Sequence, residues 1–269
     1  MQFFWPLFST FSVAYGCFIE RHRLERLKLD ISSPYIPDSF DGYRILHLSD
    51  LHLDFFSTRW RLKNILSKLK RVKPDLLFFT GDCIGKKLSE LNYFLKCLNF
   101  ILPDIKKIYV LGNHEHRLPL QKVSEIIEKN RTVLLINQNI TLTNNSGQHL
   151  NILGLDSKEL TNPLFKTLCQ NLNPSHFNIV LAHTPDILPF LDLDRVDLLL
   201  FGHTHGGQIQ IPFIDLPNIF RFTPYKFMKG VHKNKRTTIL INNGLGVSNF
   251  PARFMSPPQI PELHLHREV

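Results

Sequence analysis

Seven side chains of the kind that bind metal ions stand in five short blocks: Asp50 with His52, Asp82, Asn113, His183, and His203 with His205. The pairs Asp50/His52 and His203/His205 are spaced two apart, which on an extended backbone puts both side chains on one face. Asp82 and Asn113 each follow a glycine, so the chain can turn close to an ion. A carboxylate has two oxygens and can bridge two ions, and the Asn113 amide oxygen is a hard, neutral ligand. Mixed His, Asp and Asn donors suit Mn, Fe or Zn better than Ca. Two such divalent ions, roughly 3.5–4 Å apart, clamp phosphoryl oxygens and make a water between them acidic enough to attack in line. His114 adjoins a ligand without being needed as one. It could donate a hydrogen bond to a phosphoryl oxygen or protonate a leaving group.

Each block stands where an apolar run ends, and runs of that length read as buried strands. Tyr43–Leu48 leads to Asp50, Asp75–Thr80 to Asp82, Lys107–Leu111 to Asn113, Asn178–Ala182 to His183 and Val196–Phe201 to His203. Ligands of open α/β sheets gather at the carboxyl ends of strands, so five such ends imply one shared site. Trp60–Val72 carries Leu62, Ile65, Leu66 and Leu69 at helical spacing and is stopped by Pro74. Leu88–Phe100 and Gln121–Asn130 also read as helices, which makes the first half β-α-β-α-β with parallel strands. Val133–Ile136, Thr141–Thr143 and Leu150–Leu155 read as short strands around the turn-like Asn144-Asn145-Ser146-Gly147. Pro163–Asn171 is expected to be helical, with Asn162 as its N-cap. Thr237–Ile241 and Glu262–His266 complete the strands. The expected fold class is α/β: two packed sheets with helices outside.

The chain has 269 residues, a formal charge of +9, 43% hydrophobic residues and four cysteines without CxxC pairing. Neither a zinc knuckle nor a disulfide framework follows. The basic balance favours acidic partners such as phosphates, nucleic acid or an anionic membrane surface. Residues 1–20 form an apolar, aromatic-rich segment in which Met1–Ile19 carries no charge. Arg21, Arg23, Arg26 and Lys28 follow it. This arrangement is expected to associate with the inner membrane, with the catalytic domain on the cytoplasmic side. Residues 21–42, with Pro34, Pro37 and Gly42, read as a basic, proline-containing linker, and residues 43–269 as the domain proper.

The ordered blocks Asp-x-His, Gly-Asp, Gly-Asn-His-Glu, His and Gly-His-x-His resemble those of the calcineurin-like metallophosphoesterase superfamily. The resemblance implies a four-layer α/β/β/α sandwich. It implies one ion on Asp50, His52, Asp82 and His205 and another on Asp82, Asn113, His183 and His203, with Asp82 bridging and His114 catalytic. Gly202–Gln208, Tyr225, Gly230, Asn243–Gly246 and Pro251-Ala252-Arg253 are similar to a bacterial, membrane-attached branch of YaeI/YkuE type. Chlamydia-type pyrophosphatases that cleave UDP-2,3-diacylglucosamine in lipid A synthesis resemble this branch. Two departures, Cys83-Ile84-Gly85 after Asp82 and Asp54 where glycine is common, bear on substrate rather than on metal.

The expected function is therefore dinuclear hydrolysis of phosphodiester or pyrophosphate bonds at the membrane, with a lipid-linked pyrophosphate and a general phosphodiester both open as substrate. Arg253, Lys226 and Tyr225 are candidates for binding it, because Arg and Lys are the usual phosphate partners. Asp156 and Cys83 are expected to be structural. A nuclease is disfavoured because the basic residues lack an interleaved aromatic platform. A metal-free scaffold is disfavoured because every ligand is kept.

Overall fold

The computed structural model describes residues 12–53, 59–144, 146–210, 228–248 and 250–268. The described chain opens in a helix, α1, that runs through residue 18. Twelve strands follow: β1 (Glu25–Ser33), β2 (Arg44–Leu48), β3 (Leu76–Thr80), β4 (Lys106–Val110), β5 (Thr132–Leu134), β6 (Gln138–Thr143), β7 (His149–Gly154), β8 (Asn178–Leu181), β9 (Leu198–Phe201), β10 (Gly230–Asn234), β11 (Thr237–Ile241) and β12 (Gln259–Arg267). The remaining α-helices are α2 (Arg59–Val72), α3 (Leu88–Ile101), α4 (Leu120–Lys129) and α5 (Leu164–Gln170).

The strands form two six-stranded sheets, ordered β1-β12-β2-β3-β4-β5 and β10-β11-β9-β8-β7-β6. Both are mixed. β2 to β5 run parallel in the first and β7, β8, β9 and β11 parallel in the second, while β12 is antiparallel to β2, and β6 and β10 close the second sheet antiparallel. Period-two alternation gives each sheet two buried faces. Ile45, Leu76, Phe78 and Ile108 of the first sheet meet Ile152, Ile179, Leu198 and Leu240 of the second in the central core. Leu46, Leu77, Phe79 and Tyr109 turn outward under α2, α3 and α4, which contribute Ile65, Leu69, Phe94, Leu98, Val123 and Ile127. Leu153, Val180, Leu199 and Phe201 turn outward under Phe165 and Cys169 of α5. The result is the expected α/β/β/α sandwich.

Residues 21–42 are not a linker. Leu27, Leu29 and Ile31 alternate with Arg26, Lys28 and Asp30, and this stretch forms β1, paired in parallel with the whole of β12. Ile36 and Phe40 beyond it are buried. The alternation gives β1 one apolar and one charged face, as befits an edge strand, and the prolines fall after it. The same pairing extends β12 beyond Glu262–His266 in both directions. β10 is largely polar and carries no run to betray it. α5 begins one residue later than expected, with the Asn162 side chain accepting from the Leu164 N–H at 3.0 Å. Among the described residues, no helix is long and apolar enough to cross a membrane. Residues 1–11 of the apolar segment lie outside the described residues.

Candidate metal centre

β2, β3 and β4 of one sheet and β8, β9 and β11 of the other bring their carboxyl ends to the same end of the sandwich, and every ligand-type residue lies just beyond one of the first five. The sheets are tied together there. His183 Nδ1 donates to the Thr80 carbonyl at 2.7 Å, the His203 N–H to Asp50 Oδ2 at 2.9 Å, and the Asn242 side chain to the His47 carbonyl at 3.1 Å.

Five of the seven residues adopt left-handed backbone: Asp50 (φ 50°), His52 (φ 44°), Asp82 (φ 51°), His203 (φ 69°) and His205 (φ 53°). That conformation costs an L-residue roughly 1–2 kcal/mol. Its concentration here means that surrounding contacts force the chain to turn each side chain inward. The glycines before the ligands serve the same end. A Cβ on Gly112 would stand 2.3 Å from Asp82 Oδ1, and one on Gly202 would stand 1.8 Å from Ser49 Oγ and 2.4 Å from Asp50 Oδ2.

The seven side chains converge in two groups. In one, His52 Nε2 and His205 Nε2 point at each other 2.9 Å apart, with Asp50 Oδ1 3.5 Å from His205 Nε2. In the other, His183 Nε2 lies 3.0 Å from Asn113 Oδ1, 3.1 Å from His203 Nδ1 and 3.4 Å from Asp82 Oδ2. Asp82 stands between them, its Oδ2 also 3.8 Å from His52 Nε2. Imidazole, carboxylate and amide atoms, each able to offer a lone pair to a cation, are gathered here at hydrogen-bond distance. Asp50 Oδ1 is buried and has no hydrogen-bond partner among the described residues. The His183 Nδ1–H held by Thr80 leaves Nε2 as the free donor atom. This donor set fits two divalent ions.

Electrostatics reflect the crowding. Burial pushes the Asp50 carboxyl up to about 7, and the charge of Asp82 adds to the effect. Burial works against charge on both Asp82 and His183. Their mutual attraction wins, holding Asp82 well below the usual carboxylate range and lifting His183 to about 10. Burial drives His52 and His203 down to about 3. Neutral imidazoles are the form that binds metal, so His52 and His203 are ready to bind while an ion must displace the proton of His183.

His114 sits at the rim, partly exposed. Its Nε2 is 3.9 Å from Asp82 Oδ2, its ring meets His52 edge-on at 4.5 Å, and its backbone N–H donates to Asp82 Oδ1 at 2.8 Å. Burial lowers its pKa, so it is uncharged in the resting site.

Two residues have parts that the sequence did not reveal. Glu115 is fully buried and accepts from the N–H groups of Asp82 (2.8 Å), Gly112 (2.9 Å) and Ile84 (3.2 Å) and from the Tyr109 hydroxyl (2.8 Å). It holds two ligand loops together. Its signal was the acidic residue closing Gly112-Asn113-His114-Glu115. Arg253 is not a substrate ligand. It is fully buried, with Nε on the Gly246 carbonyl at 2.9 Å, Nη1 on Ser256 at 2.8 Å and Nη2 on Asn243 at 2.8 Å, and Nη2 lies 3.4 Å from His205 Nδ1. Every donor is spent on the protein, so a phosphate cannot reach it. Burial lowers its pKa to about 9, which leaves it charged at neutral pH. Lys226 and Tyr225 lie outside the described residues. Cys83 is buried beside Asp82, and burial raises its thiol pKa far above the ordinary value.

Residues 43–207 match the family model described as calcineurin-like phosphoesterase. The chain belongs to that family and is a metal-dependent phosphoester hydrolase. It is 32% identical over 249 residues to the uncharacterized metallophosphoesterase YkuE of Bacillus subtilis, covering 91% of this chain and 87% of YkuE. It is 31% identical over 224 residues to YkoQ of the same organism, covering 80% of this chain and 81% of YkoQ. A more distant relative, at 25% identity over 298 aligned positions, is the UDP-2,3-diacylglucosamine pyrophosphatase LpxG of Chlamydia muridarum, with 90% of this chain and 89% of LpxG covered.

Proposed function

We propose that the protein hydrolyses a lipid-linked pyrophosphate at the inner membrane, with UDP-2,3-diacylglucosamine of lipid A synthesis as the substrate that best combines its features. The observation that carries the reaction is the pair of ligand groups sharing Asp82 beneath His114. Asp50, His52, Asp82 and His205 would hold one ion, and Asp82, Asn113, His183 and His203 the other, with Mn the expected metal. Bound there, the ions supply Lewis acidity and an activated water. The chain's own groups do the rest. Asp82 is kept anionic, His183 is aimed through Nδ1, and uncharged His114 places an N–H at the rim for the phosphoryl oxygen or the departing oxygen. The membrane and lipid parts are supported by the uncharged aromatic segment Met1–Ile19, the arginines after it, and likeness to LpxG over most of both chains. A general phosphodiesterase acting on a non-lipid ester is the second reading, favoured by the likeness to YkuE at higher identity.

Phosphorus NMR of Mn-loaded protein with UDP-2,3-diacylglucosamine in detergent separates the two. UMP and lipid monophosphate formed by the native chain and not by Asp82→Ala support the first. Hydrolysis of bis-p-nitrophenyl phosphate without release of UMP leaves the second. His114→Ala should lower turnover about 10²–10⁴-fold with metal content retained. Unchanged turnover would remove His114 from the mechanism.

A further inference from the structure

A cleft of about 570 Å³ opens beside the Asn113, His183 and His203 group. Its floor is those ligands. Its walls carry Arg117, from the turn after His114, and Lys158, from the loop after β7. The two cations come from segments 41 positions apart, and Asp156 ties those segments to each other. Its Oδ1 lies 2.7 Å from His116 Nε2 and accepts the Lys158 N–H at 3.2 Å, while the Asp156 N–H is anchored on Asn137 Oδ1 at 2.9 Å. Asp186 also lines the cleft and accepts from the Thr184 hydroxyl at 3.1 Å.

We infer that Arg117 and Lys158 form a subsite for a second phosphate, adjoining the phosphorus attacked at the metal pair, and so favour pyrophosphate diesters over single phosphodiesters. The inference rests on the two-metal hydrolase reading. Hydrolysis adds water across the P–O–P bridge: the hydroxyl goes to the attacked phosphorus and the proton to the bridging oxygen, which departs on the second phosphate. Negative charge grows on that departing group, and a guanidinium fork with an ammonium beside it stabilises such charge. A single phosphodiester has no group to place there. Arg117 and Lys158 are both exposed, so neither is needed to fill the core, and their replacement leaves the fold intact.

The test compares two ligands that differ only by one phosphate. Binding of methyl phosphate and methyl diphosphate to Mn-saturated full-length protein is measured by calorimetry. The native chain should prefer the diphosphate by about tenfold or more, the scale of one or two charge-assisted hydrogen bonds. In the double variant Arg117→Ala/Lys158→Ala the ratio of dissociation constants should collapse toward one. A native chain without the preference, or a double variant that keeps it, overturns the subsite. Hydrolysis of bis-p-nitrophenyl phosphate by the native chain is followed in parallel. Its absence together with no release of UMP from UDP-2,3-diacylglucosamine defeats the hydrolase reading itself, whereas turnover of either compound with an unchanged ratio defeats only the subsite.

Discussion

The two halves of the metal centre are braced by buried ions of opposite sign. Behind Asp50, His52 and His205 stands Arg253, whose guanidinium gathers the carbonyls of Asn243, Gly246 and Ser256. Behind Asp82 and Asn113 stands Glu115, whose carboxylate gathers the N–H groups of Asp82, Ile84 and Gly112. Loops turning sharply at strand ends leave backbone groups without ladder partners, and those groups must be satisfied when buried. One cluster of loops exposes carbonyls inward and needs a donor. The other exposes N–H groups and needs an acceptor. The halves also differ in access. Asp50, His52 and His205 are buried, whereas Asn113 and His203 open on the cleft. On the proposed reading each half holds an ion, and substrate would approach from the open half.

The sharpest break of this contrast is Asp82→Ala, since Asp82 belongs to both halves. Metal content, read by elemental analysis, should fall in both positions. Turnover should drop at least about a thousandfold, beyond the 10–100-fold typical of residues that only support ligands. Metal retained in one half would show that the halves are independent.

Arg253→Ala comes next. It strips several buried carbonyls of their donor and should cost about 3 kcal/mol or more in denaturant unfolding, with affinity lost for the ion near His205. Arg253→Lys should not restore it, because one ammonium cannot reach the carbonyls on all sides. A variant of normal stability and weakened substrate binding would return Arg253 to the substrate after all.

Glu115→Gln should be milder. The amide keeps one acceptor oxygen but turns an NH₂ toward backbone N–H groups, at a cost of about 1–3 kcal/mol. Its effect on turnover should exceed that on ion binding at the sealed half, as metal titration can resolve.

The smallest effect concerns His47, buried beneath the site. Its Nε2 lies 2.7 Å from Thr80 Oγ1, and burial lowers its pKa to about 3. The unfolded chain takes up this proton near pH 6.5, but the folded chain does so only near 3. The unfolded state therefore binds more protons between those values, and stability falls as pH drops below about 6.5, by at most about 1.4 kcal/mol per pH unit from this group. His47→Gln keeps a donor for Thr80 and should flatten the slope between pH 7 and 5. Equal slopes in the two proteins would show that other groups carry the dependence.

Much of this was legible in residue order. Tyr43–Leu48 and the runs before Asp82, Asn113, His183 and His203 are predominantly apolar rather than alternating, as strands buried on both faces are. β1 was missed although its alternation is clear, because Pro34 and Pro37 drew the reading toward a linker. β10 was missed because Gly230–Asn234 has no apolar pattern. Asn162 was read as the cap, and its side chain does accept the Leu164 N–H, but the helix begins one residue later with Pro163 at the cap position.

What the sequence by itself determined, then, are the donor types, their order and their place at strand ends, for these follow from side-chain chemistry and from period. The tertiary structure decided which ligands group, which half is sealed and what each buried ion does. Arg253 looks in sequence like any surface arginine. Only the packing of Asn243–Gly246 against the His205 loop turns it from a phosphate partner into a brace. Arg117 and Lys158 likewise share no pattern, and only the folded chain brings them to one cleft. Burial and long-range proximity are properties of the folded chain, so no spacing along the sequence encodes them.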